Sequence, residues 1–380
     1  MSCLIIKNDG IGDLILSSGL IRSVGEHFKG NVDLVTCSDN QEIAEGIEPL
    51  RERFYVSRDG MRFSDSAARM GWLIPRVSLE DRLVLRSIDT RKYEMVICLR
   101  RFIRQSTLIV MRQVRAKKKF CAWELPTNAS WSMAERATRG WKHHIGAANV
   151  LSELSYNKAF LESVFNTAFT SQPHLSFCQK QTVLPTTRRV ALGLGGGSTN
   201  WHHGNWIELA VLLAKAGWSI VLLGGNNVAD LAEQIMAKVP DSDNLVGQLT
   251  WRKTAKFLAN CEGYIGNDTG LSHFASLVVQ KCVVILGGGT FRRFFPWPGA
   301  ENQHVIFHGL SCYDCYWICR FNDRRCLTLV RPKDVLKCFE EFVWQGASGP
   351  MEFDLNPVNE QYETGLSIRN GKTSKAFVRL

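Results

Sequence analysis

Short apolar runs recur along the chain, each passing into small residues and then into a helical spacing. Cys3-Leu4-Ile5-Ile6 is a buried-strand pattern. Gly10-Ile11-Gly12 then predicts a tight turn, and Asp13 opens a helix with apolar positions at Leu14, Leu16, Leu20 and Ile21. Val32-Asp33-Leu34-Val35 and Glu94 to Leu99 read as further strands. Strands alternating with helices imply βαβ units and a parallel sheet. A polar stretch from Gln179 to Arg189 has the composition of an interdomain linker. The rhythm then resumes: a strand at Val190-Ala191-Leu192, the glycine turn Gly193 to Ser198, a helix from Asn205 to Ala216, and a strand at Ser219 to Leu223. Helices near Val228 to Val239 and Arg252 to Asn260 lead to Gly263-Tyr264-Ile265-Gly266. Cys282 to Leu286 is one more buried strand, and Pro332 to Val343 a closing helix.

The predicted organisation is two α/β domains, residues 1–180 and 181–330, followed by a closing helix at 331–345 and a loosely ordered polar tail at 346–380. In such sheets ligands lie at the carboxyl ends of the strands. Gly10 to Asp13 occupies one such end. Asn267-Asp268-Thr269-Gly270-Leu271-Ser272-His273 occupies another, where free main-chain N–H groups at a helix start suit a phosphate or pyrophosphate. Asp268 and Thr269 are expected to cap that helix, and an ordinary capped helix with nothing bound is the plainer alternative. Neither glycine turn fits a dinucleotide fingerprint, since Ile15 and Ser198 hold the third glycine positions. No G-x-x-x-x-G-K-[ST] element occurs. NAD enzymes and P-loop ATPases are therefore disfavoured.

Composition adds three points. Across 380 residues, 45% are hydrophobic and 22% charged, an ordinary globular balance without a membrane-spanning run. The start lacks a signal-peptide pattern, which predicts a cytoplasmic protein. The net charge of +10 is concentrated between Arg82 and Lys119, where 12 Lys/Arg face Asp89 and Glu94. That stretch implies a polyanionic partner, or else the solvated faces of two helices. It carries no nucleic-acid recognition motif. Of 12 cysteines, eight are scattered in apolar surroundings. The other four, Cys312, Cys315, Cys319 and Cys326, are spaced C-x2-C-x3-C-x6-C, as in a tetrahedral site for structural zinc or iron; reduced, unligated thiols are the alternative.

Three segments together resemble glycosyltransferase family 9, the ADP-heptose:lipopolysaccharide heptosyltransferases. They are Leu4 to Asp13, Gly195 to Trp206, and Asp268 to His273. The resemblance implies a GT-B fold, two Rossmann-like α/β domains facing a cleft, with an acceptor-binding N-terminal and a donor-binding C-terminal domain. It implies an inverting transfer of a heptose from ADP-heptose to a lipopolysaccharide-core acceptor, an anionic glycolipid, with peripheral contact at the inner membrane. Asp13 would be the general base, and no cofactor is required for catalysis. Donor contacts would come from Gly12, Ser198, Thr199, Leu249, Asp268, Thr269, Gly270, Leu271 and His273. Some members carry a similar cysteine cluster, and in autotransporter heptosyltransferases it resembles an iron-binding finger.

One position departs from the family. Thr199 stands where a lysine usually pairs with the donor phosphate, and a hydroxyl does not replace an ammonium electrostatically. His202, His203, Arg292 or Arg293 would have to supply the charge. Otherwise another nucleotide sugar, a capsule, glycan or protein acceptor, or a non-catalytic nucleotide-sugar-binding protein comes into view.

Overall fold

The computed structural model describes residues 1–58, 60–63, 75–102, 104–122, 138–143, 152–182, 185, 187–195, 200–321, 323–345 and 351–355. The chain divides into two compact units, Met1–Cys178 and Gln179–Leu380. Each is built on one parallel sheet, as the alternation of strand and helix patterns predicts.

In the first unit the strands are β1 (Cys3–Ile6), β2 (Val32–Cys37), β3 (Glu52–Val56), β6 (Tyr93–Cys98), β7 (Ala116–Cys121) and β8 (Lys142–His143). The pair β4 (Arg62–Phe63) and β5 (Pro75–Arg76) lies apart from them. Their order across the sheet is β3-β2-β1-β6-β7-β8, with every pairing parallel. The order reverses between β1 and β6, so the crevice for a ligand opens at the ends of those two strands. Helix α1 (Ile11–His27) follows β1 and buries Leu14, Leu16, Leu20, Ile21 and Val24.

The second unit repeats the plan with β9 (Arg189–Gly193), β10 (Ser219–Leu223), β11 (Asp243–Asn244), β12 (Gly263–Asn267), β13 (Cys282–Ile285), β14 (Gln303–Phe307) and β15 (Met351–Asp354). The order is β11-β10-β9-β12-β13-β14-β15, again all parallel. It reverses between β9 and β12. Among the described residues, no helix is long and apolar enough to cross a membrane.

The structure departs from the sequence reading in three places. Helix α1 begins at Ile11 with Gly10 as its cap, so Gly12 and Asp13 lie inside the first turn rather than before it. The lysine run expected on a helix forms β7, where Lys117 and Lys118 are exposed near the sheet edge, a use of charge that discourages edge-to-edge pairing. Part of the expected loose tail, Met351 to Asp354, is a strand paired with β14. Short strands like these take their pairing from a neighbour, which a local pattern does not reveal.

The switch-point strands of the second unit rest on one buried side chain. The Tyr264 phenol fills the space beside Gly193 and Gly266. A Cβ on Gly193 would fall 1.9 Å from its oxygen, and one on Gly266 2.3 Å away. Overpacking of this kind costs about 1–3 kcal/mol. Gly193→Ala should lower unfolding free energy by at least that amount in a urea titration. Tyr264→Phe in the same background should recover part of it, and equal stability of Gly193→Ala and the native protein would refute the packing argument.

Candidate functional site

At the N-terminal switch point the turn Lys7-Asn8-Asp9-Gly10 is fastened from both sides. Arg100, buried just beyond β6, donates to the Asn8 carbonyl at 2.7 Å and to the Thr107 hydroxyl at 2.9 Å. Thr107 in turn donates to Asn8 Oδ1 at 2.9 Å. From the other side Asn40 donates to the Asp9 carbonyl at 3.0 Å and to Thr36 at 3.1 Å. Asp9 forms a buried ion pair with Lys7 at 3.0 Å. Asp13, half-buried in the first turn of α1, folds its carboxylate back over the main chain of Gly10. The carboxylate thus lies just beyond the carboxyl end of β1, beside a turn held from both sides.

Much of the basic stretch is tied up nearby. Arg91 pairs with Asp33 and Glu52, Arg115 with Asp89 at 2.7 Å, Lys117 with Glu94 at 2.9 Å, and Arg100 approaches Asp9 at 3.5 Å. Arg82, Arg86, Lys92 and Lys118 remain exposed. The stretch is therefore not one continuous cationic patch.

At the C-terminal switch point, Asn267 ends β12 and donates to Asn200 Oδ1 at 3.1 Å and, at 3.4 Å, to the carbonyl of Gly195 beyond β9. The Tyr264 hydroxyl stands 3.0 Å from Ser272 Oγ, and Ser272 donates to the Asn267 carbonyl. This chain of hydroxyls fixes the turn from below. Asp268, Thr269, Gly270 and Leu271 are left half-exposed above it. Thr269 occupies the cap position of α9 (Gly270–Ala275), but its side chain does not cap, contrary to expectation. Its Oγ1 is itself buried, beside the Tyr264 phenol. With six residues α9 sums few peptide dipoles, so the free amides of its first turn matter more than a macrodipole.

His273 differs from the expectation most. It was expected to offer its side chain to a ligand, yet it is 2% exposed and lies beneath the turn. Its ring stacks on Phe295, with centroids 4.2 Å apart at 9°. Trp297 Nε1–H donates to its Nδ1 at 3.1 Å, which leaves the proton on Nε2, facing Asp268 Oδ1 at 3.8 Å. Burial pushes His273 down to about 3, so it is neutral. It is a neutral, buried part of the support beneath Asp268. The Trp297 contact is invisible in the sequence, where nothing links position 297 to position 273.

Leu249, half-buried, precedes α8 (Trp251–Leu258), and Trp251 packs on Phe274 of α9 at 4.7 Å. That contact brings the Leu249 segment to the same end of the sheet. Ser198 and Thr199 lie outside the described residues. Of the candidate substitutes for the missing lysine, His202 caps α6 (His203–Lys215) by accepting from the Gly204 N–H at 3.2 Å. Arg292 pairs with Glu352 of β15, and Arg293 lies 4.7 Å over Phe294.

The cysteine loop packs on the turn after β13. Trp317 fills the space a Cβ would need on Gly287 and Gly289, and Tyr313 does so at Gly288. The Asp314 and Tyr316 N–H groups donate to the Gly288 and Gly289 carbonyls at 2.7 and 2.9 Å. Burial pushes the Cys326 thiol up to about 11, and Cys312, Cys315 and Cys319 add to the effect. Among the described residues, no group of three or more His, Cys, Asp or Glu side chains is gathered as a metal site.

Comparison with known proteins adds the following. The model of the family described as Glycosyltransferase family 9 (heptosyltransferase) matches residues 84–320. Lipooligosaccharide heptosyltransferase 2 of Haemophilus ducreyi is 29% identical over 147 residues, 36% of this chain and 41% of that protein. The chain therefore spans about two fifths of the length of that curated relative. A glycosyltransferase family 9 structure from Veillonella parvula superposes with a TM-score of 0.66 at 14% identity, covering 90% of this chain and 97% of that one. The E. coli ADP-heptose lps heptosyltransferase II gives 0.65 at 18% identity, covering 91% and 99%. At these identities the likeness shows the fold, the expected GT-B pair of α/β units.

If Trp297 fixes the neutral tautomer of His273, the His273 ring signals should not titrate between about pH 5 and 8 in a proton NMR series. Trp297→Phe should leave Nδ1 without its donor, lower stability by about 1–3 kcal/mol, and move the His273 midpoint upward. A native midpoint near the ordinary histidine value would refute the assignment.

Proposed function

The chain belongs to glycosyltransferase family 9, and from that premise we propose that it transfers a heptose from ADP-heptose to a lipopolysaccharide-core acceptor with inversion at the anomeric carbon. The observation that carries the reading is the turn from Asn267 to His273. It presents the half-exposed residues Asp268 to Leu271 at a helix start on a rigid buried support. The names of the relatives supply the sugar and the acceptor class.

In this reading the amides of Thr269, Gly270 and Leu271 receive the diphosphate, and Asp268 meets sugar hydroxyls. Leu249 contributes an apolar contact to adenine. The acceptor oxygen attacks the anomeric carbon from the face opposite the diphosphate. Its proton passes to the Asp13 carboxylate, the new glycosidic bond forms, and the anomeric carbon–phosphate oxygen bond breaks. The electron pair leaves with ADP. Preformed donors stabilise that developing charge without reorganising. A carboxylate such as Asp13 is a weak base and suffices where the proton moves late in the displacement. Exposed cations such as Arg82 and Arg86 would meet acceptor phosphates at the cytoplasmic face of the inner membrane.

The four cysteines form the second part of the proposal. The C-x2-C-x3-C-x6-C spacing suits a thiophilic dication, zinc or iron, held by Cys312, Cys315, Cys319 and Cys326 once the loop draws the four thiols together. Its effect would be structural, steadying the loop that Trp317 and Tyr313 seat on the Gly287–Gly289 turn.

Three measurements test these statements. ADP at about 100 times its dissociation constant should stabilise the protein by about 2.7 kcal/mol, and Asp268→Ala should leave that effect largely in place while weakening the binding of ADP-heptose. With ADP-heptose, Asp13→Asn should lower turnover at least about a hundredfold while ADP binding stays nearly intact. Stabilisation by UDP or GDP instead would keep a transferase and replace the sugar, whereas nucleotide binding without turnover would favour a binding protein. For the thiols, protein purified without chelator should carry about one equivalent of zinc plus iron, lost in Cys315→Ser. Less than about a tenth of an equivalent removes that part of the proposal.

A further inference from the structure

Helix α3 (Leu79–Asp89) of the first unit carries two stripes with leucines, and the fold buries only one of them. Asp81, Leu85 and Ile88 are buried, and with the half-buried Val84 they follow the i, i+3, i+4, i+7 spacing of a core-facing side. Leu85 and Ile88 join the cluster that also holds Phe54 and Val56 of β3. Leu79, Arg82, Leu83 and Arg86 repeat the same spacing elsewhere on the helix, and all four are exposed. Leu79 is 72% exposed and Leu83 55%; of the other large hydrophobics described in this unit, only Met1 is as open. A single exposed leucine needs no explanation, but two leucines one turn apart form a patch.

The helix is not free to roll this stripe inward. Asp81 accepts from the Ser57 N–H at 2.8 Å, from the Ser57 hydroxyl, and from the Ser78 hydroxyl at 2.9 Å. Its own N–H donates to Ser78 Oγ at 3.1 Å. Ser57 directly follows β3, so the clasp fixes the rotation of α3 and holds its first turn at the carboxyl end of the sheet. That is the end where Asp13 follows β1.

Charge decides what fits over the stripe. Arg82 and Arg86 alternate with the leucines, Arg76 of β5 is exposed just before the helix, and Glu80 is the one exposed carboxylate on α3. A two-fold pairing of this face with a second copy would bring the arginines of both copies together around a small apolar contact. An anionic bilayer satisfies both residue types, since leucines enter the acyl boundary while guanidinium groups stay at the phosphates.

We propose that α3 is a membrane-docking helix. It lies in the headgroup plane of an anionic bilayer, with Leu79 and Leu83 in the acyl boundary. Arg76, Arg82 and Arg86 meet lipid phosphates, the acceptor's among them. The carboxyl ends of β1 and β3 then stand beside the membrane, within reach of a lipid-borne acceptor. That role in the reaction rests on the transferase reading, whereas docking itself is read without sugar transfer.

The test is sedimentation of the full chain with vesicles of phosphatidylethanolamine and phosphatidylglycerol, against vesicles of phosphatidylcholine alone. The native protein should bind the anionic vesicles, and less so as salt is raised. Leu79→Ser with Leu83→Ser should weaken binding at least about tenfold and leave the urea midpoint unchanged, because neither side chain packs in the core. Arg82→Gln with Arg86→Gln should weaken it by about fivefold per charge. Lys92→Gln with Lys118→Gln, which removes exposed charges outside the stripe, should leave it in place. Native protein that ignores anionic vesicles overturns the proposal, as does binding undiminished in the leucine variant. A dimer that the leucine variant dissociates gives the face to a second copy and overturns it too. Vesicle binding without sugar transfer would retire the transferase reading and keep the docking helix. Transfer to a soluble acceptor fragment without vesicle binding would do the reverse.

Discussion

The ligand-facing turn of the C-terminal unit depends on one buried phenol. Tyr264 lies under the two strands where the sheet order reverses, and both Gly193 and Gly266 leave room for its ring. Its hydroxyl reaches Ser272, and Ser272 reaches the Asn267 carbonyl, so strand end and helix start are held as one piece. Burial raises Tyr264 far beyond the range in which it could ionise, and it acts as a neutral donor throughout. A turn supported in this way can leave amides free towards a ligand without collapsing onto them. The aromatic floor of Phe295 and Trp297 serves the same end, by fixing which nitrogen of His273 carries the proton.

The N-terminal turn reaches a comparable rigidity by other means. Its supports are charges and amides from β6 and the end of β2, and its central side chain is an ammonium rather than an aromatic ring. The difference matches the chemistry proposed for each half. A leaving diphosphate is met by neutral donors that need no reorganisation, whereas a base must change charge and needs neighbours that tolerate both states. Two parallel sheets of the same design thus present unlike electrostatic surroundings at equivalent strand ends.

Much of this could be read along the chain. Strand periodicity located β1, β2, β6, β9, β10, β12 and β13 to within a residue or two, and the small residues after them marked the turns. Asp13 and the stretch from Asp268 to His273 stood out because carboxylate, hydroxyl and glycine at a strand end have few other uses. The direction of the His273 side chain was not legible, because a histidine one turn into a helix can face a ligand or the core with equal ease. Nor was the neutralisation of the basic stretch. Arg91 meets Asp33 and Glu52, and Arg100 meets Asn8 and Asp9, through strand order rather than sequence proximity.

The sequence by itself determined the two α/β halves, the turns at their strand ends, the family, and the residue types offered at each turn. Local spacing carries such information because strand and helix periods are properties of a few consecutive residues. Only the tertiary structure decided which of those residues face outward and which charges are already satisfied. It set Arg100 against Asn8 and Asp9, set Trp297 against His273, and laid Trp317 on the glycine turn. Each of these joins residues from different elements, or from one element and a remote turn. The energy of a buried charge or an unpaired ring nitrogen is set by what closes around it in space, and the order of the chain does not state that.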